Sequence, residues 1–316
     1  MKKSVFIITG AVIAITVVAL LAFDQPEKTV NKPESIKAPA LPEKLLFAGE
    51  NVPMKDFDVR ERFDRELMIN TFYHSQTLFA LKKTKRFFPV MEAVMKKNGL
   101  PDDFKYLAVA ESGLDNVVSP AKAEGFWQFL ESTGKRYGLE INEEVDERYH
   151  LEKATEAACK YLKDNKEKLG NWTLAAAAYN MGENGVDNAI KKQGVGSYYD
   201  LLLNKETSRY LFRILAIKEI YSNPAKYGFV IDSAEYYPTI ETYTVTLDSA
   251  VDNLAQYAIS QGINYKVLKL LNPWLRKPYL KNKAKKAYTI VLPKDKSFIT
   301  PPAITPVSPA TGEETE

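Results

Sequence analysis

The chain has 316 residues, 45% apolar and 26% charged, with a net charge of +3. That leaves room for two globular domains with a sizeable core, and too little positive charge for a nucleic-acid-binding surface. A single cysteine, Cys159, rules out an intramolecular disulfide, and two histidines, His74 and His150, give no basis for a zinc site or a Ser-His-Asp hydrolase. Neither Gly-x-x-x-x-Gly-Lys nor Gly-x-Gly-x-x-Gly occurs, so nucleotide chemistry has no support. No cofactor and no metal is expected, and the chemistry left available is that of carboxylic acids.

Lys2 and Lys3 precede an uncharged apolar run from Val5 to Phe23. Nineteen residues at about 1.5 Å each approach the hydrocarbon thickness of a bilayer, so residues 1–23 read as an uncleaved membrane anchor. A cleaved signal peptide is the alternative: Ala22 suits the last position before a cleavage site, but Leu20 is not the small residue wanted two positions earlier. No cysteine is present to carry a lipid. The basic N-terminus would stay in the cytoplasm and the remainder would be exported, which predicts a protein of the cell envelope facing the periplasm. Residues 24–54 hold Pro26, Pro33, Pro39, Pro42 and Pro53 among Lys and Glu and read as a stiff, solvated linker.

A helical region, 55–227, follows. Helices are expected over Glu66–Leu81 and Phe88–Lys97, and then over Asp102–Glu111. In the last of these, Phe104, Leu107, Ala108 and Glu111 fall on one stripe at helical spacing, the face that should be dry. Pro101, Asp102 and Asp103 suit its first turn and Gly113 its C-cap. A carboxyl so placed has two reasons to keep its proton, desolvation and the negative end of the helix dipole. A carboxylic acid that is neutral near pH 7 is what a general acid needs. The bland reading is a helix-end glutamate pointing to water. Glu152–Leu169 should be helical with Ala154, Ala157, Ala158, Tyr161, Leu162 and Leu169 facing the core and Gly170 as the stop; Cys159 lies on it as a buried structural thiol. An Ala-rich helix from Leu174 to Tyr179 and a helix over Glu206–Tyr221 complete an all-α bundle around a cleft.

After Tyr227 the texture changes. Thr242–Leu247 alternates like a strand, helices are expected over Val251–Ser260 and Tyr265–Leu271, and Ala287–Pro293 reads as a second strand. Between Glu235 and Ser297 there are ten Lys and Arg against five Asp and Glu, a solvated face or an attraction for anionic polymers. Residues 298–316, rich in Pro, Thr and Glu, read as a disordered tail.

Four separated segments carry a resemblance: Glu111-Ser112, Gly125-Phe126-Trp127-Gln128, Ala178-Tyr179-Asn180-Met181-Gly182 and Glu206-Thr207-Ser208-Arg209-Tyr210. In this order they resemble the lytic transglycosylases of bacterial cell walls, in particular the membrane-bound D type of the soluble-transglycosylase superfamily, over roughly residues 55–225. The resemblance implies a goose-lysozyme-like α-helical catalytic domain. It implies Glu111 as the sole acid/base, and substrate binding by Ser112, Gln128, Tyr179, Asn180, Glu206 and Tyr210. Phe126, in place of the usual Leu, and Trp127 would line the cleft. Residues 235–297, with their β-α-α-β order, Asn after the second helix and Leu-Pro end, resemble a LysM glycan-binding module. Its usual Gly-Asp-Thr-Leu is replaced by Leu247-Asp248-Ser249-Ala250, and the loop from Pro273 to Lys286 is long.

The implied substrate is the glycan strand of peptidoglycan. The implied reaction is cleavage of the β-1,4 bond between N-acetylmuramic acid and N-acetylglucosamine without water, giving 1,6-anhydromuramic ends. A hydrolytic muramidase and a non-catalytic wall-binding scaffold are the rival readings. The expected partners are the murein strands, the membrane through the N-terminal segment and a cell-wall assembly complex.

Overall fold

In the computed structural model, residues 36–297 are described; the expected anchor (1–23), the first part of the linker (24–35) and the tail (298–316) lie outside the described residues. No helix among the described residues is long and apolar enough to cross a membrane. The chain is mainly helical, with a small α+β unit at its C-terminal end.

The helical part is built from α1 (Phe57–Phe72), α2 (His74–Lys97), α3 (Lys105–Ser112), α4 (Glu131–Arg136), α5 (Leu151–Leu169), α6 (Trp172–Met181), α7 (Glu183–Gln193) and α8 (Lys205–Ser222). At its centre is α6, whose Leu174 and Ala175–Ala178 are fully buried; the small side chains let α5, α7 and α8 approach closely around it. The predicted face of α5 is inward, Gly170 caps it at φ +92°, and Cys159 is fully buried, which pushes its thiol up to about 12.

The first two helices differ from expectation. Val59, Phe63 and Leu67, four residues apart, bury one face of α1, so it begins at Phe57 and ends at Phe72, where Tyr73 leaves helical geometry. The next helix then runs unbroken through Pro89. The charged run Lys82–Arg86 is good helix-forming sequence whose side chains have tertiary partners: Lys83 donates to the Gly113 carbonyl and Arg86 to that of Pro238.

Residues 45–54, expected to be linker, are part of the core. Leu45, Phe47, Val52 and Met54 are buried, and β1 (Leu46–Phe47) pairs with β2 (Glu50–Asn51) across a two-residue turn with Ala48 at φ +51° and Gly49 at φ +83°. The Glu50 carboxylate accepts from the backbone N–H groups of Trp172 (2.7 Å) and Thr173 (3.1 Å), satisfying orphan donors at the start of α6. Asp103 accepts from Ala48 N–H (2.7 Å) and from Lys218 (2.6 Å). The Pro-, Lys- and Glu-rich composition is that of a solvated segment, whereas the hydrogen bonds of Ala48 and Glu50 that order it come from 55 to 123 positions along the chain.

In the C-terminal unit β3 (Thr242–Leu247) and β4 (Tyr288–Pro293) are antiparallel, with Thr242 opposite Pro293 and Leu247 opposite Tyr288. Helices α9 (Leu254–Ser260) and α10 (Tyr265–Leu271) lie between them in sequence, capped by Asn253 and Asn264. Buried Asn272 joins helix to sheet: its amide donates to the carbonyls of Leu268 (3.0 Å) and Val291 (2.8 Å), and its oxygen accepts from Val291 N–H (2.8 Å). The long loop after Pro273 is not loose. Trp274, Leu275 and Leu280 are buried in this unit's own hydrophobic cluster, together with Val145 and Tyr149 from the helical part.

Candidate active site

Glu111 stands in the last turn of α3, just before Gly113 turns the chain at φ +61°. Phe104, Leu107 and Ala108 are fully buried, as the stripe predicted, and Glu111 continues it to the floor of a cleft of about 480 Å³. Burial is the largest influence on its carboxyl and lifts it from 4.5 to about 7; Glu206 adds to the rise, while the hydrogen bond from Tyr210 and the charge of Arg213 oppose it.

Tyr210 is buried on α8 and its hydroxyl donates to Glu111 Oε1. Burial and the neighbouring carboxyl push the Tyr210 phenol well up, so it stays a neutral donor while Glu111 gains and loses its proton. Burial likewise pushes Tyr179 up, with Glu111 the next influence.

The Tyr179 hydroxyl donates to the Trp127 carbonyl at 2.7 Å, and its ring packs against Phe129 and Tyr161 at centroid distances of 5.9 and 5.2 Å. Ser112 Oγ lies 2.9 Å from the Phe126 carbonyl and 3.0 Å from that of Ala108. Gln128, with φ +49° in the left-handed region, donates from Nε2 to the carbonyls of Gly125 (2.8 Å) and Val117 (2.9 Å). Three predicted binding residues thus hold the carbonyls of one loop, Gly125–Gln128, beside α3. Gly125 makes the loop possible: at φ +81° a Cβ there would stand 2.0 Å from the Arg148 carbonyl oxygen. The Arg148 guanidinium is in turn buried on Asp146 (2.6 Å) and Glu124 (3.1 Å).

Asn180 Oδ1 accepts from Thr207 Oγ1 at 2.7 Å, so its orientation is set by the residue next to Glu206. Glu206 itself is exposed and pairs with Arg213 at 3.1 Å. Trp127 and Phe126 are placed differently from expectation. Trp127 has no exposure and its indole N–H donates to Thr155 Oγ1 (2.9 Å), so it backs the site and does not line it; an indole with a buried hydrogen-bond partner belongs to the core. Phe126 packs on Phe87, on a separate crevice of about 220 Å³ that also touches Trp274.

Sequence reasoning missed Glu66, Arg209 and Arg213, all of which line the Glu111 cleft. Glu66 is buried and accepts from Arg209 Nε at 2.6 Å. The signal was there: Arg213 interrupts the apolar run Tyr210-Leu211-Phe212-Arg213-Ile214-Leu215, just as Glu111 interrupts its own stripe.

Residues 88–201 match the transglycosylase SLT domain, and residues 243–296 match the soluble lytic transglycosylase C-terminal LysM-like domain. The membrane-bound lytic murein transglycosylases D of Escherichia coli K12 and of Escherichia coli O6:H1 are each 30% identical to the chain over 235 residues, 72% of this chain and 50% of the relative. The chain thus spans about half the length of the curated relatives it matches. The SLT match begins after the first helix, and covers Glu111, the Gly125–Gln128 loop, Tyr179 and Asn180, but ends before Glu206 and Tyr210.

Proposed function

Because this chain joins a transglycosylase SLT domain to a LysM-like C-terminal domain, we propose that it is a peptidoglycan lytic transglycosylase. In this reading residues 55–227 carry catalysis and residues 235–297 bind or orient the wall polymer. The observation that carries the proposal is the Glu111 carboxyl, half-buried in the cleft, clasped by Tyr210 and lifted to about 7 by desolvation. At that value it is half protonated near neutral pH and can give a proton and take one back.

Glu111 protonates the glycosidic oxygen of the β-1,4 bond on N-acetylmuramic acid as oxocarbenium character develops at the anomeric carbon. The carboxylate so formed removes the proton from the muramic C6 hydroxyl, whose oxygen closes the 1,6-anhydro ring. The leaving sugar departs with a new hydroxyl, Glu111 recovers its proton, and no water is consumed. Glycosidases generally use two carboxylates. Here the N-acetyl group and the C6 hydroxyl of the substrate take the second role. The two other glutamates near Glu111 are both committed, Glu66 to Arg209 and Glu206 to Arg213.

The product would serve cell-wall remodelling, with the protein held at the envelope by residues 1–23. Mass spectrometry of murein digested in H₂¹⁸O tests the reaction: 1,6-anhydromuramic ends without label are expected, and ¹⁸O-labelled reducing ends would make the protein a hydrolytic muramidase.

A further inference from the structure

We infer that Arg209 and Arg213 form a carboxylate-binding subsite in the Glu111 cleft, one that takes the lactyl or stem-peptide carboxylate carried by N-acetylmuramic acid. The inference presupposes a murein substrate and adds to it the group that is recognised. The two arginines are four residues apart on α8, hence on one face about one turn apart, and both line the cleft. Each is half-buried, with side-chain exposures of 22% and 26%.

Their partners fix how they point. Glu66, only 1% exposed, holds Arg209 through Nε at 2.6 Å, which leaves the terminal nitrogens of the fork for another acceptor. Arg213 meets Glu206 through Nη2 at 3.1 Å, and Glu206 is more than half exposed, so this charge is only partly compensated. Each guanidinium thus keeps N–H donors that its glutamate partner leaves unused, and both side chains line the cleft that holds Glu111. Guanidinium forks match carboxylates better than they match the neutral hydroxyls of a sugar. On a murein strand the anionic group lies on the muramic acid, so an arginine pair beside Glu111 distinguishes the muramic side of the bond from the glucosamine side.

The test is a binding measurement in full-length Glu111→Gln protein, where turnover and any effect of Arg213 on the acid are both removed. The probes are a murein tetrasaccharide with free carboxylates and the same tetrasaccharide with its carboxyls converted to methylamides. The carboxylate form should bind roughly 10- to 100-fold more tightly, the range set by charge-assisted hydrogen bonds. Arg213→Gln should remove most of that preference and Arg213→Lys should keep part of it. Glu66→Gln/Arg209→Gln, which leaves no unpaired buried charge, should weaken it as well. Equal affinity for the two probes, or a preference unchanged in all three variants, overturns the subsite. Absence of binding to both probes overturns the subsite together with the murein reading. A carboxylate preference in a protein whose wild type yields no anhydro ends would leave the subsite standing and remove the proposed reaction.

Discussion

What sets the charge of Glu111 decides what the site can do. Its raised acid constant means that the protonated, competent form is present below about pH 7 and is lost above it, so kcat/KM should fall as pH rises through that value. Two substitutions should move this falling limb in opposite directions. Tyr210→Phe removes the donor that favours the carboxylate, so Glu111 keeps its proton to higher pH and the limb moves up. Glu206→Gln removes a neighbouring negative charge and frees Arg213 to favour the carboxylate, so the limb moves down. Measured pH profiles of kcat/KM for the three proteins check both signs. The position of Glu111 was legible because a charged residue on a dry stripe is conspicuous in sequence. Its partner Tyr210 is 99 positions away, and only the resemblance pointed to it.

Two elements position the site, and the linker-like composition of the first hid it in the sequence. The Leu46–Asn51 hairpin caps the helix that carries Tyr179 and Asn180, and Glu50→Gln should cost about 1 kcal/mol in denaturant unfolding, since a charged capping acceptor becomes a neutral one. The Gly125–Gln128 loop is the other. Gly125→Ala would combine an unfavourable φ with a Cβ 2.0 Å from a backbone oxygen, so the loop must move away from Ser112 and Tyr179. A loss of activity much larger than the loss of melting temperature is expected, and unchanged activity would show that the loop does not position the site. Strong periodic helices such as Leu151–Leu169, and the strand Thr242–Leu247, were readable from pattern alone. The break at Tyr73 and the continuity through Pro89 were not, because burial of Val59 and Phe63 and the partners of Lys83 and Arg86 decide them.

For the whole molecule, the two hydrophobic clusters imply a C-terminal unit with its own core that nevertheless borrows Val145 and Tyr149. Further ties join it to the helical part: Asp146 N–H donates to the Trp274 carbonyl at 2.9 Å, Arg276 N–H to that of Glu144 at 2.7 Å, and Tyr288 to Glu140 at 2.9 Å. The texture change near Tyr227 suggests truncation after about Lys226, but Phe229 is buried in the larger cluster and Tyr237 N–H donates to the Lys82 carbonyl. A chain ending after Thr239 keeps those contacts. It should fold with a lower melting temperature, cleave soluble murein fragments at near wild-type rates and bind insoluble sacculi more weakly. Loss of all activity on soluble fragments would show that catalysis needs the C-terminal unit.

In the proposed reaction one carboxyl performs both proton transfers, and Glu111→Gln removes both at once. Glutamine is nearly isosteric and can still accept from Tyr210, but it can neither donate a proton to the leaving oxygen nor take one from the C6 hydroxyl. In murein digestion followed by mass spectrometry, a folded Glu111→Gln protein should release anhydro fragments at least about 10²–10⁴-fold more slowly than wild type. Release at the wild-type rate by a Glu111→Gln protein would show that Glu111 is not the acid/base.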